Sequence, residues 1–103
     1  MSRRDDAHRR VEEEIRREKA AALGRAGERL DDALREVRAI ARGFDAATDP
    51  GARARLLRDY EAARAGAVRA RAMLLIQREA VGLRTHTIVD QIFPEPPRRL
   101  GRG

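Results

Sequence analysis

Apolar residues in the first part of the chain recur as Val11, Ile15, Ala22, Ala26, Ala33, Val37 and Phe44, joined by Leu23, Leu30, Leu34 and Ile40. Steps of three and four gather them on one helical stripe, with charged residues filling the rest of the surface. Leu23, Leu30, Val37 and Phe44 follow a seven-residue step, while Ile15, Ala26 and Val37 follow one of eleven. Mixing the two periods predicts a nearly straight helix rather than a tight supercoil. Helix 1 is expected over about residues 4–43, opened by the capping-box pattern Ser2-x-x-Asp5, or by Asp5 or Asp6, and closed at Gly43. A helix of that length needs a packing partner, because propensity alone does not hold it.

Asp49-Pro50 is a start signal, an N-cap residue followed by proline at the first helical position. Helix 2 is expected over about residues 50–82, with Leu56, Tyr60, Ala63, Ala67, Ala70, Leu74 and Val81 on one face. Gly82-Leu83 fits a glycine C′ followed by an apolar C″ residue. Thr87-x-x-Asp90 predicts the cap of a short helix over about 87–93, with Ile88, Val89, Ile92 and Phe93 as its apolar side. From Pro94 onward, Pro-Glu-Pro-Pro excludes a helix, so residues 94–103 read as an extended Pro/Arg tail on a single domain spanning 1–93.

The short loop makes helices 1 and 2 antiparallel neighbours. If the turn centres near residues 46 and 47, position i faces about 93 − i. Leu23 then meets Ala70, Leu30 meets Ala63, Val37 meets Leu56, and Gly27 meets Gly66. Close backbone approach near Gly66 is one reason to keep Gly24 and Gly27 inside a helix, and helix bending is the other. Helix 2 also carries a second apolar strip, Ala62, Ala65, Ala72, Ile76, Ala80 and Leu83, and the run Ala72-Met-Leu-Leu-Ile76 is apolar all round. Surface of that kind calls for burial from more than one side. The third helix covers part of it, and the remainder predicts a homodimer that closes a four-helix bundle. The fold class is therefore all-α, a long antiparallel hairpin with a short third helix.

Composition changes this picture little. Charged residues make up 39 % and aromatics 3 % of the chain, a profile shared with disordered chains, but disorder does not sustain such periodicity. Without cysteine, neither a disulfide framework nor a thiolate metal site is available. No apolar run approaches the ~18 residues of a membrane span. Met1-Ser-Arg-Arg-Asp-Asp6 has no apolar stretch behind it, so a cytoplasmic location is expected. The formal net charge of +6 concentrates on the second helix, where residues 50–84 carry eight arginines against three acids.

Arg53, Arg64, Arg71 and Arg78 are separated by eleven, seven and seven residues and form one line along helix 2. Such a line can contact phosphates at helical spacing. The competing reading pairs these arginines with Glu14, Glu18, Glu28 or Glu36 of helix 1, and the scarcity of aromatics argues against single-strand binding by base stacking. His8 and Glu12 stand at i, i+4 spacing without a third ligand, and Glu14 and Glu18 lack a Glu-x-x-His partner motif. His86 suits a turn or capping role. No nucleophile is paired with a base and no glycine-rich phosphate loop follows a strand, so no enzyme activity, cofactor or metal is expected. The register brings Lys19 and Arg25 opposite Gln77, Arg78 and Glu79, which with Ile76 and Leu83 form the candidate interaction surface.

Two segments, Glu18-Lys-Ala-Ala-Ala-Leu-Gly-Arg-Ala-Gly27 and Ile76-Gln-Arg-Glu-Ala-Val-Gly-Leu-Arg84, resemble the signature stretches of a family of short bacterial helical proteins catalogued only as a domain of unknown function. The resemblance covers roughly residues 11–42 and 73–94, and the Phe-Pro-Glu-Pro-Pro ending departs from it. It implies a bacterial, helical, stand-alone protein and no particular activity. The function expected is a non-enzymatic helical oligomerisation or protein-interaction module, with a partner at the C-terminal half of helix 2. The alternative is a basic nucleic-acid-associated protein using the helix 2 arginines.

Overall fold

Ser2 caps the first helix, its hydroxyl accepting from the Asp5 backbone N–H at 3.2 Å, and Asp5 and Asp6 sit at the positive end of the helix dipole. In the computed structural model, which describes residues 2–99, this helix is α1 (Arg3–Ala46). It does not stop at Gly43. A helical glycine costs about 1 kcal/mol, but Phe44 just beyond it is buried to 3 % exposure, which offsets that penalty. The helix closes at Ala47, whose N–H bonds to the Gly43 carbonyl at 3.0 Å.

α2 (Pro50–Ala80) starts as the sequence predicts, with the Asp49 carboxylate accepting from the Ala52 N–H at 2.8 Å. Its end is a Schellman motif. The Leu83 N–H bonds to the Arg78 carbonyl at 2.9 Å and the Gly82 N–H to that of Glu79 at 3.0 Å, with Gly82 at φ +92°. α3 (Thr87–Ile92) is capped differently from expectation. Thr87 is its first helical residue, and His86 holds the N-cap position without a side-chain cap bond. The third helix closes at Ile92, one residue short of the expected 93. The last four residues of the tail lie outside the described residues.

Because α1 continues to Ala46, the connecting turn is Ala47–Asp49, and the pairing of α1 with α2 slides along the hairpin. The expected rule would set Gly43 against Pro50. Instead, the Leu56 Cδ2 lies 3.6 Å from where a Gly43 Cβ would stand. The close backbone approach proposed for the glycines is also overturned. No atom lies within 4 Å of a Cβ built on Gly24 or Gly27, and that of Gly66 meets only the Arg69 guanidinium, at 3.8 Å.

One core runs between the helices. Ala26, Leu30, Leu34 and Val37 of α1 pack with Tyr60, Ala67 and Leu74 of α2 and with Val89 of α3. At 44 residues, α1 outreaches the 31 residues of α2, and the molecule extends 72 Å along its long axis. The N-terminal end of the expected stripe is therefore uncovered, leaving Val11 and Ile15 about half exposed. Val81, expected on the core face, is also exposed because it occupies the α2 C-cap. None of the described helices is long and apolar enough to cross a membrane.

Candidate functional site

The hairpin has two unlike faces, and the arginine line of α2 explains the difference. Beyond Gly82 the chain turns back and runs antiparallel to α2, so residues 85–99 form a strap over one side of the α1–α2 seam. Each arginine of the line grips the main chain or a carboxylate. Arg78 donates to the Thr85 carbonyl at 3.0 Å and to His86 Nδ1 at 3.3 Å. Arg71 pairs with Asp90. Arg64 donates to the Pro96 carbonyl at 2.9 Å and to Glu95 at 3.2 Å.

Arg53 lies below the strap and serves the end of α1. It donates to the Phe44 and Ala47 carbonyls at 2.8 and 2.9 Å, and its guanidinium stacks 4.1 Å from the Phe44 ring centroid. The last turn of α1 contains no basic residue of its own, so Arg53 supplies the positive charge and the donors that the carbonyl end needs. The arginines therefore do not pair with Glu14, Glu18, Glu28 or Glu36 as the sequence reading allowed. Their partners lie in the strap and at the end of α1. Arg64 and Arg71 side chains keep only 15 % and 25 % of their exposure, which leaves little guanidinium surface for an outside phosphate.

The strap ends on aromatic surface. The Tyr60 hydroxyl donates to the Pro97 carbonyl at 2.5 Å. The Arg99 guanidinium lies 5.1 Å from the Tyr60 ring centroid and 5.8 Å from that of Phe44, and it bonds to Asp45 at 2.7 Å. The Asp45 hydrogen bond raises the Arg99 pKa above its ordinary value, against the opposing effect of burial. The Arg99 N–H donates to Glu61 at 3.3 Å. Burial has a cost, since the Nε atoms of Arg71 and Arg99 are enclosed without a hydrogen-bond partner among the described residues. His86 bridges two elements, with Nδ1 toward Arg78 and Nε2 3.1 Å from Glu79, an arrangement that fits the Nε2–H tautomer. A positional role for His86 accounts for these contacts.

The opposite face has no covering. Ala33, Ala63, Gly66 and Ala70 floor an open groove of about 610 Å3 between the helices, and Arg29, Glu36, Asp59 and Arg69 stand along its rims. It continues toward the N-terminal end of α1 as a shallower recess that brings Lys19, Arg25 and Gln77 together beside Ile15 and Ala22. The polar cluster expected from the register is thus divided. Lys19, Arg25 and Gln77 belong to the open face, whereas Arg78 and Glu79 turn toward His86 on the strap side. The second apolar strip of α2, Ala62, Ala65, Ala72, Ile76, Ala80 and Leu83, is exposed at every position. Met73 and Ile76 keep 45 % and 56 % of their surface.

His8 and Glu12 pair at 3.0 Å on the exposed start of α1, and no group of three His, Cys, Asp or Glu among the described residues is placed to hold a metal ion. Comparison with protein-family models, curated proteins and solved structures yields no match.

Proposed function

We propose that this chain is a non-enzymatic helical interaction module that offers one face of its hairpin to a partner. The observation that carries the reading is the asymmetry of cover. The chain spends fifteen residues and three clamping arginines, Arg64, Arg71 and Arg78, to cover one side of the seam. On the other side Ala62, at the groove, and Met73 stay open to water. Exposed apolar residues rimmed by charge are the usual mark of a protein-interaction surface. A floor of alanine and glycine lets a helix approach closely.

The nucleic-acid alternative rested on Arg53, Arg64, Arg71 and Arg78 as a free line of phosphate contacts. Their engagement with the strap and the end of α1 removes the support that spacing gave it. Cellular photo-crosslinking tests the interaction reading. A photoreactive residue at Ala62 or Met73 should yield discrete adducts, while one at Ala41, under the strap, should yield far fewer. Absence of adducts from both open-face positions would contradict it.

A further inference from the structure

The rims of the open groove carry four charges that no described residue of the chain pairs with: Arg29 and Glu36 on α1, Asp59 and Arg69 on α2. Other charges are used locally, as in Arg17–Glu13, Arg35–Asp31 and the clamps of the strap, and what sets these four apart is that they line the groove. The placement of the four is ordered. Because the helices run antiparallel, Glu36 and Asp59 share one end of the groove, and Arg29 and Arg69 share the other. The groove is acidic at the end nearer the turn and basic at the end nearer the termini, with Ala33, Ala63 and Gly66 between.

We infer that the occupant of this groove is a second copy of the chain, related by a two-fold axis that crosses both helices near Ala33 and Ala63. This rests on the interaction reading above and names the partner for the same face. Two-fold operators that stack one hairpin face to face on another fall into two kinds. An axis parallel to the helices lays the acidic end of one groove on the acidic end of the other, which opposes like charges. An axis perpendicular to them sets α1 antiparallel on its copy and α2 antiparallel on its copy.

Only the perpendicular operator is complementary. Arg29 of one protomer meets Glu36 of its partner, and Asp59 meets Arg69, each pair formed twice. The two helices ask for the same axis independently. The midpoint of Arg29 and Glu36 lies at residues 32–33, and that of Asp59 and Arg69 at residue 64. Those positions face each other across the hairpin, since α1 ends at Ala46 and α2 begins at Pro50. At the axis Gly66 of one α2 meets Ala62 of the other, and the helices approach once the Arg69 guanidinium, which lies against Gly66, swings out to Asp59 of the partner subunit. The 31 residues of α2 give a contact length of roughly 46 Å, long enough for an interface of ordinary size.

Two double charge reversals test the arrangement. Glu36→Arg with Asp59→Arg makes the groove wholly basic, and Arg29→Glu with Arg69→Glu makes it wholly acidic. All four residues are exposed, so circular dichroism should show wild-type helix content in both variants. Sedimentation should show the wild type as a dimer, each variant alone dissociating roughly a hundredfold more readily, and an equimolar mixture reassembling as a heterodimer. A wild-type dimer whose variants also dimerise overturns this arrangement while leaving the interaction reading intact. A wild type that remains monomeric overturns self-association, and the interaction reading then stands or falls on the crosslinks from Ala62 and Met73.

Discussion

Replacing Leu74 by aspartate should unfold the chain, whereas the same substitution at Ile76, two residues further on, should leave its helix content unchanged. Leu74 keeps 6 % of its surface and belongs to the core cluster with Leu30, Ala67 and Val89. Around it lie Leu23, Gly27, Ile88, Ile92 and Phe93, so it sits where α1, α2 and α3 converge. Losing the leucine alone costs about 2–5 kcal/mol, and a carboxylate at that place adds a desolvation penalty of several kcal/mol more. A domain of this size has only about 5–15 kcal/mol in hand. Ile76 is 56 % exposed on the far side of α2. Far-ultraviolet circular dichroism with a thermal melt separates the two cases. A folded Leu74→Asp chain, or an unfolded Ile76→Asp chain, would show that the core face has been wrongly assigned.

Tyr60 is the second position at which a single change should have a large effect. It keeps 2 % of its surface, its ring lies under the Arg99 guanidinium, and its hydroxyl holds the Pro97 carbonyl. Tyr60→Ala removes a core ring and one anchor of the strap together, at a cost of about 3–5 kcal/mol. Tyr60→Phe keeps the ring and removes only the hydrogen bond, which is worth about 1 kcal/mol. On a chain of this length that corresponds to a fall in Tm of roughly 4–8 °C. Limited trypsin digestion should also cut after Arg98 and Arg99 sooner in Tyr60→Phe than in wild type. Equal melting and equal digestion of Tyr60→Phe and wild type would mean that Tyr60 does not anchor the strap.

The hairpin was legible because its signals are local and redundant. Ser2, Asp49-Pro50 and Gly82-Leu83 each fix a helix end through the hydrogen bonds of a few neighbouring residues, and the structure uses all three. Gly43 marks a boundary by propensity alone, but burial of Phe44, one step beyond on the same stripe, carries the helix past it. That extension moves the turn and the register with it. The second strip, from Ala62 to Leu83, is legible from periodicity, but the cover expected from the third helix is absent, because α3 packs through Val89 on the core and leaves every position of the strip exposed.

The strap was not legible as a strap. Three prolines in four residues say that a segment is not helical, but they do not say whether it is docked. The arginine line is visible as a line, but the plentiful acids of α1 are its nearest partners in sequence terms and not in the fold. A finer signal was present. Thr85, Asp90 and Glu95 recur at five-residue steps opposite Arg78, Arg71 and Arg64 at seven-residue steps. Proline carbonyls, unpaired by any local helix, complete the acceptor set. Matching acceptors in an irregular segment to donors on a regular helix needs the path of the chain, which spacing alone does not supply.

The two-sidedness of the hairpin can be measured directly by thiol reactivity, because the chain has no cysteine to interfere. In dilute protein, Ala62→Cys on the open face should react nearly as fast as a free thiol. Ala41→Cys, half-buried in a cavity of about 380 Å3 that it lines with Pro94 and Pro97, should react more slowly and should accelerate in a chain ending at Arg84. Similar rates at the two positions in the full chain would contradict a hairpin covered on one side by its own C-terminal segment and open on the other.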